Sequence, residues 1–415
     1  MNVLIIGNGG REAALAWKIA QSNVVESVLI SPLHPAATTL HAKIKTSETI
    51  PDKKFDLAVI GPEIPLGEGL ADQLSVRGIP TVGPSQKAAQ LEISKAFAKE
   101  AMLAAEIPTA RSATFTTSAE ARAFVDLCDW EGIVVKADGP AAGKGVVVAQ
   151  DKKEALRAIS GFFDGSWLGM KVNCLVLEEK LVGPEISVFA LCAGEKFVWL
   201  DSARDHKRLK ENDLGPNTGG MGTVSPVLDF NEKEKTFVKD HVFAPLLKLM
   251  VQRGTPFQGF LFAGLMRTKA GLKVLEFNVR MGDPETQVVL PRMTDDLVPW
   301  LIGCATNNFP KGSPVFSPEV CVHVVLAAPG YPGTEGEKVR LGDEVYWSPS
   351  VAKKYLSFPA GLTLKDDKWV TRGGRILGVT GIGMDLKEAR THALTKIEKF
   401  AFEGSQWRRD IGGSL

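Results

Sequence analysis

The residues best suited to catalysis lie in a segment that begins at Glu276 and continues through Asn278 and Arg280 into the turn Gly282-Asp-Pro-Glu. An apolar run precedes them and indicates a β-strand, in which alternate residues share one face. A carboxylate beside an amide oxygen suits a hard cation such as Mg²⁺, and a nearby guanidinium suits a phosphate or carboxylate. A solvated strand edge is the alternative, but it has no need of the turn that follows. The segment therefore predicts metal-assisted phosphoryl transfer, with Glu276 and Asn278 as the metal ligands.

Two glycine-rich segments are candidate phosphate sites. The first, Gly7-Asn-Gly-Gly-Arg-Glu12, follows an apolar run at 3–6 and begins a helix, whose N-terminus attracts anions. It is not a dinucleotide fingerprint, because Glu12 occupies the third glycine position, and a plain turn stays open as the alternative. The second, at 137–145, connects two strands and contains Lys144, so it resembles a mobile flap more than a P-loop. An ordinary flexible β-turn is its alternative.

Three further polar segments carry groups that recognise nucleotides or anions. Glu178 and Glu179 end an apolar strand, and Glu185 follows a Gly-Pro turn, so this region could bind the edge of an adenine and a ribose. A solvent-facing hairpin is the alternative. The run Asp205-His-Lys-Arg is a cationic cluster beside an acid, or a surface charge run. Residues 215–222, which read Gly-Pro-Asn-Thr-Gly-Gly-Met-Gly, are too rich in glycine for a helix or strand. Their backbone N–H groups predict an anion nest.

The composition indicates an ordinary globular protein. The chain has 415 residues, of which 44% are hydrophobic and 23% charged, and its net charge of +1 gives no reason to expect a nucleic acid or an anionic membrane as partner. The five cysteines are widely spaced without a Cys-x-x-Cys pair, which favours free thiols in a reducing compartment. Neither a signal peptide nor a membrane-spanning run is visible, so we expect a cytoplasmic protein.

The order of elements predicts three domains. Residues 1–94 alternate short apolar runs at 3–6, 27–30, 57–60 and 81–82 with helical stretches, which predicts a parallel α/β sheet. A single helix at about 86–105 should lead into a central domain at 95–310, with a lid lobe at about 114–183. After a Pro- and Gly-containing linker at 310–314, residues 315–415 predict a small α+β domain.

Taken in order, these motifs resemble those of the phosphoribosylamine–glycine ligase family, also called glycinamide ribonucleotide synthetases. The resemblance covers essentially the whole chain, and each motif is weak alone but specific in this order. The further segments that carry it are Gly61-Pro-Glu63, Gly83-Pro84, Ser94-Lys-Ala-Phe97, Lys136-Ala-Asp-Gly139, Ala141-Ala-Gly-Lys-Gly145, Gly259-Phe-Leu-Phe-Ala-Gly264, Gly373-Gly-Arg375 and Arg409-Asp-Ile-Gly412.

The resemblance implies a fold and a reaction. The fold is an N-terminal parallel-sheet domain like that of biotin carboxylase, a two-lobed ATP-grasp centre and a small C-terminal α+β domain. The reaction converts glycine to glycyl phosphate with ATP and Mg²⁺ or Mn²⁺. The amine of 5-phosphoribosylamine then displaces phosphate, giving glycinamide ribonucleotide for purine synthesis. The expected partners are these small molecules, and a monomer is expected.

The resemblance also implies roles for individual residues. Those assigned to ATP are Lys95 and Lys136 on the phosphates, Gly143, Lys144 and Gly145 in the flap, Glu178, Glu179 and Leu181 around adenine, and Glu185 on the ribose. Those assigned to catalysis are Lys207, Arg208 and Arg280 on the phosphoryl group or the glycine carboxylate, and Asp283 on the ammonium or a proton. Those assigned to the other substrate are Gly9, Gly10, Glu63, Asp205, Asn217, Thr218, Gly219, Gly220, Met221 and Gly222.

The chain departs from the family pattern at a few positions. Ala13 replaces a usual histidine, Leu33 and His34 replace a usual Gly-Asn, Pro140 replaces a leucine in the flap, and Pro359 replaces a histidine. The change at Leu33 and His34 alters one expected wall of the phosphoribosylamine site, and none of the changes removes the metal pair or the phosphate lysines. Three alternatives stay open: another ATP-grasp ligase such as a purine carboxylase, a nicotinamide dehydrogenase, and a nucleotide-binding scaffold without catalysis.

Overall fold

The N-terminal region forms a parallel sheet, and the turns that follow its strands lie at one edge of that sheet. The computed structural model describes residues 1–139, 145–167, 169–334 and 336–413. The elements of this region are β1 (Asn2–Ile6), α1 (Gly10–Ala20), β2 (Ser27–Ser31), β3 (Ile44–Thr46), β4 (Leu57–Ile60), α2 (Glu63–Gly67), α3 (Leu70–Val76) and β5 (Thr81–Val82), with a 3₁₀ turn at Pro35–Thr39. The strands are ordered β3-β2-β1-β4-β5 and every pair is parallel.

The strand order reverses between β1 and β4. Ligands of open α/β sheets collect outside the carboxyl ends of the strands at such a reversal. The turns that follow these two strands begin at Gly7 and Gly61. The parallel sheet predicted from the alternating apolar runs is therefore present, and the glycine-rich turns lie where a ligand would bind.

The connection to the central region is two helices rather than the single helix expected at about 86–105. These are α4 (Gln90–Ile93) and α5 (Lys95–Ala104). Ser94 separates them with an extended backbone, and its hydroxyl accepts a hydrogen bond from the Phe97 N–H. The single-helix prediction was wrong because a serine that caps a new helix was read as an interior residue. The break places Lys95 at the first turn of α5.

The lid lobe is a four-stranded antiparallel sheet covered by two helices. Its elements are β6 (Ser112–Phe115), α6 (Ser118–Leu127), β7 (Ile133–Ala137), β8 (Val146–Val148), α7 (Lys152–Asp164) and β9 (Leu175–Glu179), with the strands ordered β6-β9-β7-β8. Both helices start at the predicted capping boxes, where Thr117 and Asp151 accept from backbone N–H groups. The lobe packs a hydrophobic core of its own, built around Phe162 and Leu177. A separate core lets the lobe move as a unit over the site.

An eight-stranded sheet joins the central region to the C-terminal region. Its order is β16-β15-β10-β11-β14-β17-β21-β18. The elements that complete the chain are β10 (Glu185–Ala193), β11 (Lys196–Asp205), β12 (Arg208–Lys210), β13 (Leu214–Asn217), β14 (Gly222–Ser225), α8 (Glu232–Val238), α9 (Ala244–Gln252), β15 (Gln258–Thr268), β16 (Gly271–Asn278), α10 (Thr286–Arg292), α11 (Leu297–Ala305), β17 (Val320–Ala327), α12 (Pro349–Tyr355), β18 (Ser357–Pro359), β19 (Leu362–Lys365), β20 (Lys368–Thr371), β21 (Arg375–Gly383) and α13 (Leu386–Ile397). A 3₁₀ turn at Glu211–Asp213 connects β12 to β13, and a π-helical turn at Lys239–Phe243 connects α8 to α9.

The sheet crosses the linker predicted at 310–314 without interruption. Strand β14 pairs with β17, so the first C-terminal strand hydrogen-bonds directly to the central region. Residues 215–222, which were expected to be neither helix nor strand, contribute to β13 and to the start of β14. That expectation failed because glycine weakens a strand without excluding it where pairing and burial are supplied by neighbours. Among the residues that the structure describes, no helix is long and apolar enough to cross a lipid bilayer.

Candidate active site

A cavity of about 270 Å³ lies between the lid lobe and the central sheet. Several of the residues predicted for ATP, metal and substrate line it together: Lys95, Lys136, Gly145, Glu178, Glu276, Asn278, Arg280 and Glu63. Apolar side chains, among them Met102, Val146 and Leu275, form its other wall. An apolar wall facing a few charged groups is typical of a nucleotide-binding cleft.

The metal pair lies at the end of β16. Glu276 and Asn278 are two residues apart on this strand and both face the cavity, as the period of a strand requires. Burial favours the neutral acid, yet Lys207, Lys136 and Arg280 together hold the pKa of Glu276 below its usual value. Among the described residues no cation lies within ion-pair distance of the Glu276 carboxylate. An ionised carboxylate beside an amide oxygen is therefore available at the cavity surface.

The two predicted phosphate lysines reach the cavity from different elements. Lys95 begins α5, and its Nζ donates to the carbonyl of Gly139 at 3.0 Å. Burial lowers the pKa of Lys95, although Asp138 and Glu276 oppose that effect. Lys136 lies on β7, and its Nζ is 2.9 Å from Glu178 Oε2. Gly143 and Lys144 of the flap, and the Pro140 departure, lie outside the described residues.

Arg280 is held by two acids. Its Nη2 donates to Glu92 Oε1 at 2.7 Å and to Asn278 Oδ1 at 3.3 Å, and its Nε is 3.5 Å from Glu63 Oε2. Burial opposes the charge of Arg280, but Glu92 and Glu63 raise its pKa. Sequence reasoning missed Glu92, because it lies on the short helix α4 far along the chain from Arg280. Part of the guanidinium is thus used to orient Asn278, the predicted metal ligand.

Glu178 is a buried acid between two lysines. Its side chain is 5% exposed, with Lys99 Nζ at 3.2 Å and Lys136 Nζ at 2.9 Å. Lys99 also donates to Thr109 Oγ1 at 2.7 Å, and burial lowers its pKa while Glu178 opposes the change. Sequence reasoning missed Lys99, although its position one helical turn after Lys95 was a usable signal.

The other residues expected around the nucleotide are distributed differently. Glu179 faces the opposite side of β9, where it pairs with Arg111 at 2.7 Å and Lys273 at 3.0 Å, and this corrects its expected place beside adenine. Burial raises the pKa of Glu179, but Arg111 and Lys273 outweigh that effect and lower this pKa to about 2. Leu181 lies in the connection between β9 and β10 and does not line the cavity. Glu185 also lies outside the cavity lining, and Lys207 Nζ is 2.7 Å from its Oε2.

The two cations of the run Asp205-His-Lys-Arg have different partners. Burial opposes the charge of Lys207, but Glu185 and Glu276 raise its pKa, and its Nζ is 2.7 Å from Glu185 Oε2. Its side chain is 42% exposed, and solvent therefore screens part of this attraction. Arg208 is turned into the β12–β13 hairpin, where its Nη1 donates to the Gly215 carbonyl at 2.8 Å. One guanidinium nitrogen of Arg208 is therefore used within the hairpin, and the expected contact of Arg208 with the phosphoryl group or the glycine carboxylate stays a prediction.

The glycine-rich segment after the hairpin is partly exposed and partly buried. Asn217 and Gly219 are exposed, and Thr218 is half-buried, donating its hydroxyl hydrogen to the Lys207 carbonyl at 2.9 Å. Gly220, Met221 and Gly222 are buried. The Met221 side chain is packed away from solvent, so only the backbone at this position is available to a substrate that the segment closes over.

A second charged cluster lies beside the glycine-rich segment. The Nη2 of Arg375 is 3.3 Å from Asp283 Oδ2, and its Nη1 donates to the Asp283 carbonyl at 2.7 Å and to the Gly219 carbonyl. Burial is outweighed by Arg375 and Arg11, which lower the pKa of Asp283. Burial and the neighbouring Glu285 raise the pKa of Asp205, whose Oδ1 has no hydrogen-bond partner among the described residues. Arg375 was noted only as part of a motif, since nothing in the sequence places β21 beside residue 283.

Glu12, which stands where the dinucleotide pattern requires a glycine, hydrogen-bonds to the first glycine-rich loop. Glu12 is 2% exposed, and its Oε2 accepts from the Gly9 N–H at 2.7 Å. A Cβ on Gly9 or Gly10 would lie 3.4 or 3.7 Å from the Asp283 carboxylate, so the loop faces the second charged cluster. Because one loop N–H is already used by Glu12, the anion site expected at this helix N-terminus is smaller than the sequence suggested.

Three family models match the chain in order. They are the N domain of phosphoribosylglycinamide synthetase over residues 1–92, its ATP-grasp (A) domain over 93–286 and its C domain over 321–414. The phosphoribosylamine–glycine ligase of Agrobacterium fabrum is 41% identical over 420 residues, which cover 99% of this chain and 98% of that protein.

Solved structures agree with the family models. A crystal structure of phosphoribosylamine–glycine ligase from Thermotoga maritima matches with a TM-score of 0.86 and 33% identity over 99% of this chain and 100% of that one. The biotin carboxylase domain of the Hydrogenobacter thermophilus 2-oxoglutarate carboxylase matches with a TM-score of 0.72 at 15% identity over 98% of this chain and 91% of that one, and it shows a shared fold alone. The predicted fold class, an ATP-grasp protein with a biotin-carboxylase-like N-terminal sheet, is confirmed.

Proposed function

This chain belongs to the phosphoribosylglycinamide synthetase family, and from that membership we propose that it joins glycine to 5-phosphoribosylamine with conversion of ATP to ADP and phosphate. A carboxylate oxygen of glycine attacks the γ-phosphorus of ATP and ADP leaves. The amine nitrogen then attacks the acyl carbon of glycyl phosphate, expels phosphate and loses a proton. The product is glycinamide ribonucleotide, an intermediate of purine synthesis.

The observation that carries the proposal is the single cavity that brings Glu276, Asn278, Lys95 and Lys136 together. Phosphoryl transfer to a carboxylate joins two anions, so the protein must supply positive charge where they meet. Lys95 and Lys136 supply it from two sides of the cavity. The apolar wall around Met102 and Val146 fits a purine base.

The donor set fits a hard divalent cation. Glu276 is ionised and Asn278 offers an amide oxygen, so these two residues would hold Mg²⁺ or Mn²⁺, which neutralises charge on the β- and γ-phosphates. Among the described residues no group of three His, Cys, Asp or Glu side chains converges as a complete metal cage.

The second charged cluster suits the acceptor side of the reaction. Asp283 is ionised beside Arg375 and adjoins the Gly9–Gly10 loop, so it would hold the ammonium group of glycine or receive the amine proton. Lys207 is paired with Glu185 and would steady the acyl phosphate. Glu63 and the glycine loop would hold 5-phosphoribosylamine, and the flap at 137–145 would exclude water from the acyl phosphate.

We also propose a monomer that acts in the cytoplasm. One chain supplies all the residues named for the reaction. Its five cysteines, all within the described residues, are free thiols, as expected in a reducing compartment.

The proposal is tested by measuring ADP release with ATP and Mg²⁺, with and without glycine and 5-phosphoribosylamine, and with bicarbonate in place of glycine. We expect turnover that requires glycine and both co-substrates. Glu276→Gln should lower it by roughly 10²- to 10³-fold and weaken the Mg²⁺ dependence of ATP binding measured by calorimetry. Glu195→Gln, in an exposed turn away from the cavity, is the matched control. Bicarbonate-dependent turnover, or an active Glu276→Gln enzyme, would refute the assignment.

A further inference from the structure

The carboxy-terminal residues 408–412 contact the hairpin that carries the cationic run, although they are about two hundred residues away in the sequence. The Arg408 side chain is 2% exposed. Its Nη1 donates to Asp213 Oδ1 at 2.8 Å and to the Arg208 carbonyl at 3.0 Å. Its Nε and Nη2 donate to the two carboxylate oxygens of Asp410 at 2.8 and 2.6 Å. The guanidinium thus joins the tail to the hairpin through a buried set of charge-assisted hydrogen bonds.

Two backbone contacts reinforce the same junction. The Asn212 N–H donates to Asp410 Oδ2 at 2.8 Å, and the Arg409 N–H donates to Glu211 Oε1 at 3.2 Å. Asn212 and Asp213 both have a left-handed backbone, with φ of 58° and 53°. Asn and Asp adopt this region more readily than other non-glycine residues, and here the hydrogen bond from Asn212 to Asp410 ties the turn to the tail.

The tail also packs against the other end of the loop. Ile411 is fully buried, and a Cβ on Gly222 would lie 2.8 Å from its Cγ1. The Gly222 carbonyl accepts from the His206 N–H at 2.9 Å. Residues 408–412 therefore hold both ends of the segment 206–222, within which Lys207 Nζ lies 2.7 Å from Glu185 Oε2.

We propose that residues 408–412 are a positioning clamp, which fixes the hairpin so that Lys207 stays paired with Glu185 and directed at the substrate group that it is proposed to contact. Arg408, Asp410 and Asp213 are its positioning residues and do not touch substrate. This inference rests on the proposed role of Lys207. If the clamp is loosened, Lys207 samples other positions and water reaches the acyl phosphate, so ATP is cleaved without product.

The test variant is Asp213→Gly. Asp213 is 67% exposed, so the fold should survive, and glycine accepts a φ of 53° without strain. The matched control is Asp367→Gly, since Asp367 is an exposed residue with φ of 59° in the β19–β20 turn. Each variant is assayed for kcat, for KM of each substrate, and for the ratio of ADP released to glycinamide ribonucleotide formed.

For Asp213→Gly we expect kcat to fall roughly three- to tenfold, as for loss of one charge-assisted hydrogen bond. The ratio of ADP to product should rise clearly above one, while the KM for ATP stays within about twofold because Lys95 and Lys136 do not contact the hairpin. Asp367→Gly should match the wild type. A purely structural role would lower thermal stability without changing the ratio, and unchanged kcat and ratio in Asp213→Gly would overturn the clamp.

Lys207→Met separates the two proposals. If it is inactive while Asp213→Gly behaves as wild type, the clamp alone is wrong. If Lys207→Met itself turns over normally, the proposed role of Lys207 is wrong and the clamp falls with it.

Discussion

Replacement of Lys99 by methionine tests whether the cavity lysines depend on a shared buried acid. Glu178 is paired with Lys99 and Lys136, and the Lys99 and Glu178 side chains are only 4% and 5% exposed, so solvent screens their attraction little. In the proposed reaction Lys136 would also contact ATP phosphates, and Lys99 would then remain as the partner of the Glu178 carboxylate. Methionine fills a similar volume and favours helix, so the main change is the loss of one positive charge.

The burial of this ion pair sets the expected loss in the free energy of unfolding and the expected rise in the KM for ATP. Removing one partner of a fully buried ion pair costs about 3–5 kcal/mol, but Lys136 still compensates Glu178, so we expect a loss of about 2 kcal/mol in the free energy of unfolding. Glu178 would then hold Lys136 more tightly. The KM for ATP should rise about tenfold, which corresponds to about 1.4 kcal/mol, with a smaller change in kcat.

Urea unfolding and steady-state kinetics measure both effects. Lys153→Met, on the exposed face of α7, is the matched control and should leave both values unchanged. In the double variant Lys99→Met/Glu178→Gln the buried carboxylate charge is gone. Its loss in the free energy of unfolding should therefore be about 1–2 kcal/mol smaller than the sum of the losses in the two single variants. Additive losses, or an unchanged KM for ATP in Lys99→Met, would refute the reasoning.

Two further predictions concern a buried histidine, His34, and a glycine with a left-handed backbone, Gly220. Burial and then Arg372 lower the pKa of His34 to about 4, so the folded protein binds its proton less readily than the unfolded chain. The free energy of unfolding should therefore fall with pH, by about 2 kcal/mol between about pH 7.5 and about pH 5, because protonation of His34 favours the unfolded chain. In His34→Asn this part of the pH dependence, measured by urea unfolding, should be absent. Parallel pH profiles for the two proteins would contradict this. Gly220 has φ of 109°, and a Cβ there would lie 2.5 Å from Pro284 Cδ and 2.6 Å from Asp205 Oδ1. Gly220→Ala should therefore lower the free energy of unfolding by about 2–4 kcal/mol and reduce turnover. Gly78→Ala, where φ is 71° and the added methyl meets open space, should cost only about 1 kcal/mol, and equal losses at the two positions would show that the contacts of Gly220 do not matter.

Local patterns carried much of the prediction. The period of two along β16 placed Glu276 and Asn278 on one face, because side-chain alternation is a property of the strand itself. The capping residues Thr117 and Asp151 marked the starts of α6 and α7, since a cap satisfies backbone groups within four residues. The same rule was missed at Ser94, where the capping hydroxyl acts inside what looked like one helix.

Pairings between distant residues were not available from any local pattern. Glu92 binds Arg280 across 188 positions, and Asp213 binds Arg408 across 195. Glu178 and Glu179 look alike in the sequence, yet strand β9 turns one toward the cavity lysines and the other toward Arg111. Which of two neighbouring acids reaches a site depends on which face of the sheet is covered, and that is settled by packing.

The sequence by itself determined the chemistry that this chain can support. It contains a carboxylate and an amide oxygen for a cation, lysines for phosphates and glycine turns for anions, because residue type and short-range spacing fix what a segment can bind. Only the tertiary structure decided which charges are compensated inside the protein and which face the cavity. The charge that a site presents depends on burial and on partners brought together from distant elements, and neither is encoded in the spacing of nearby residues.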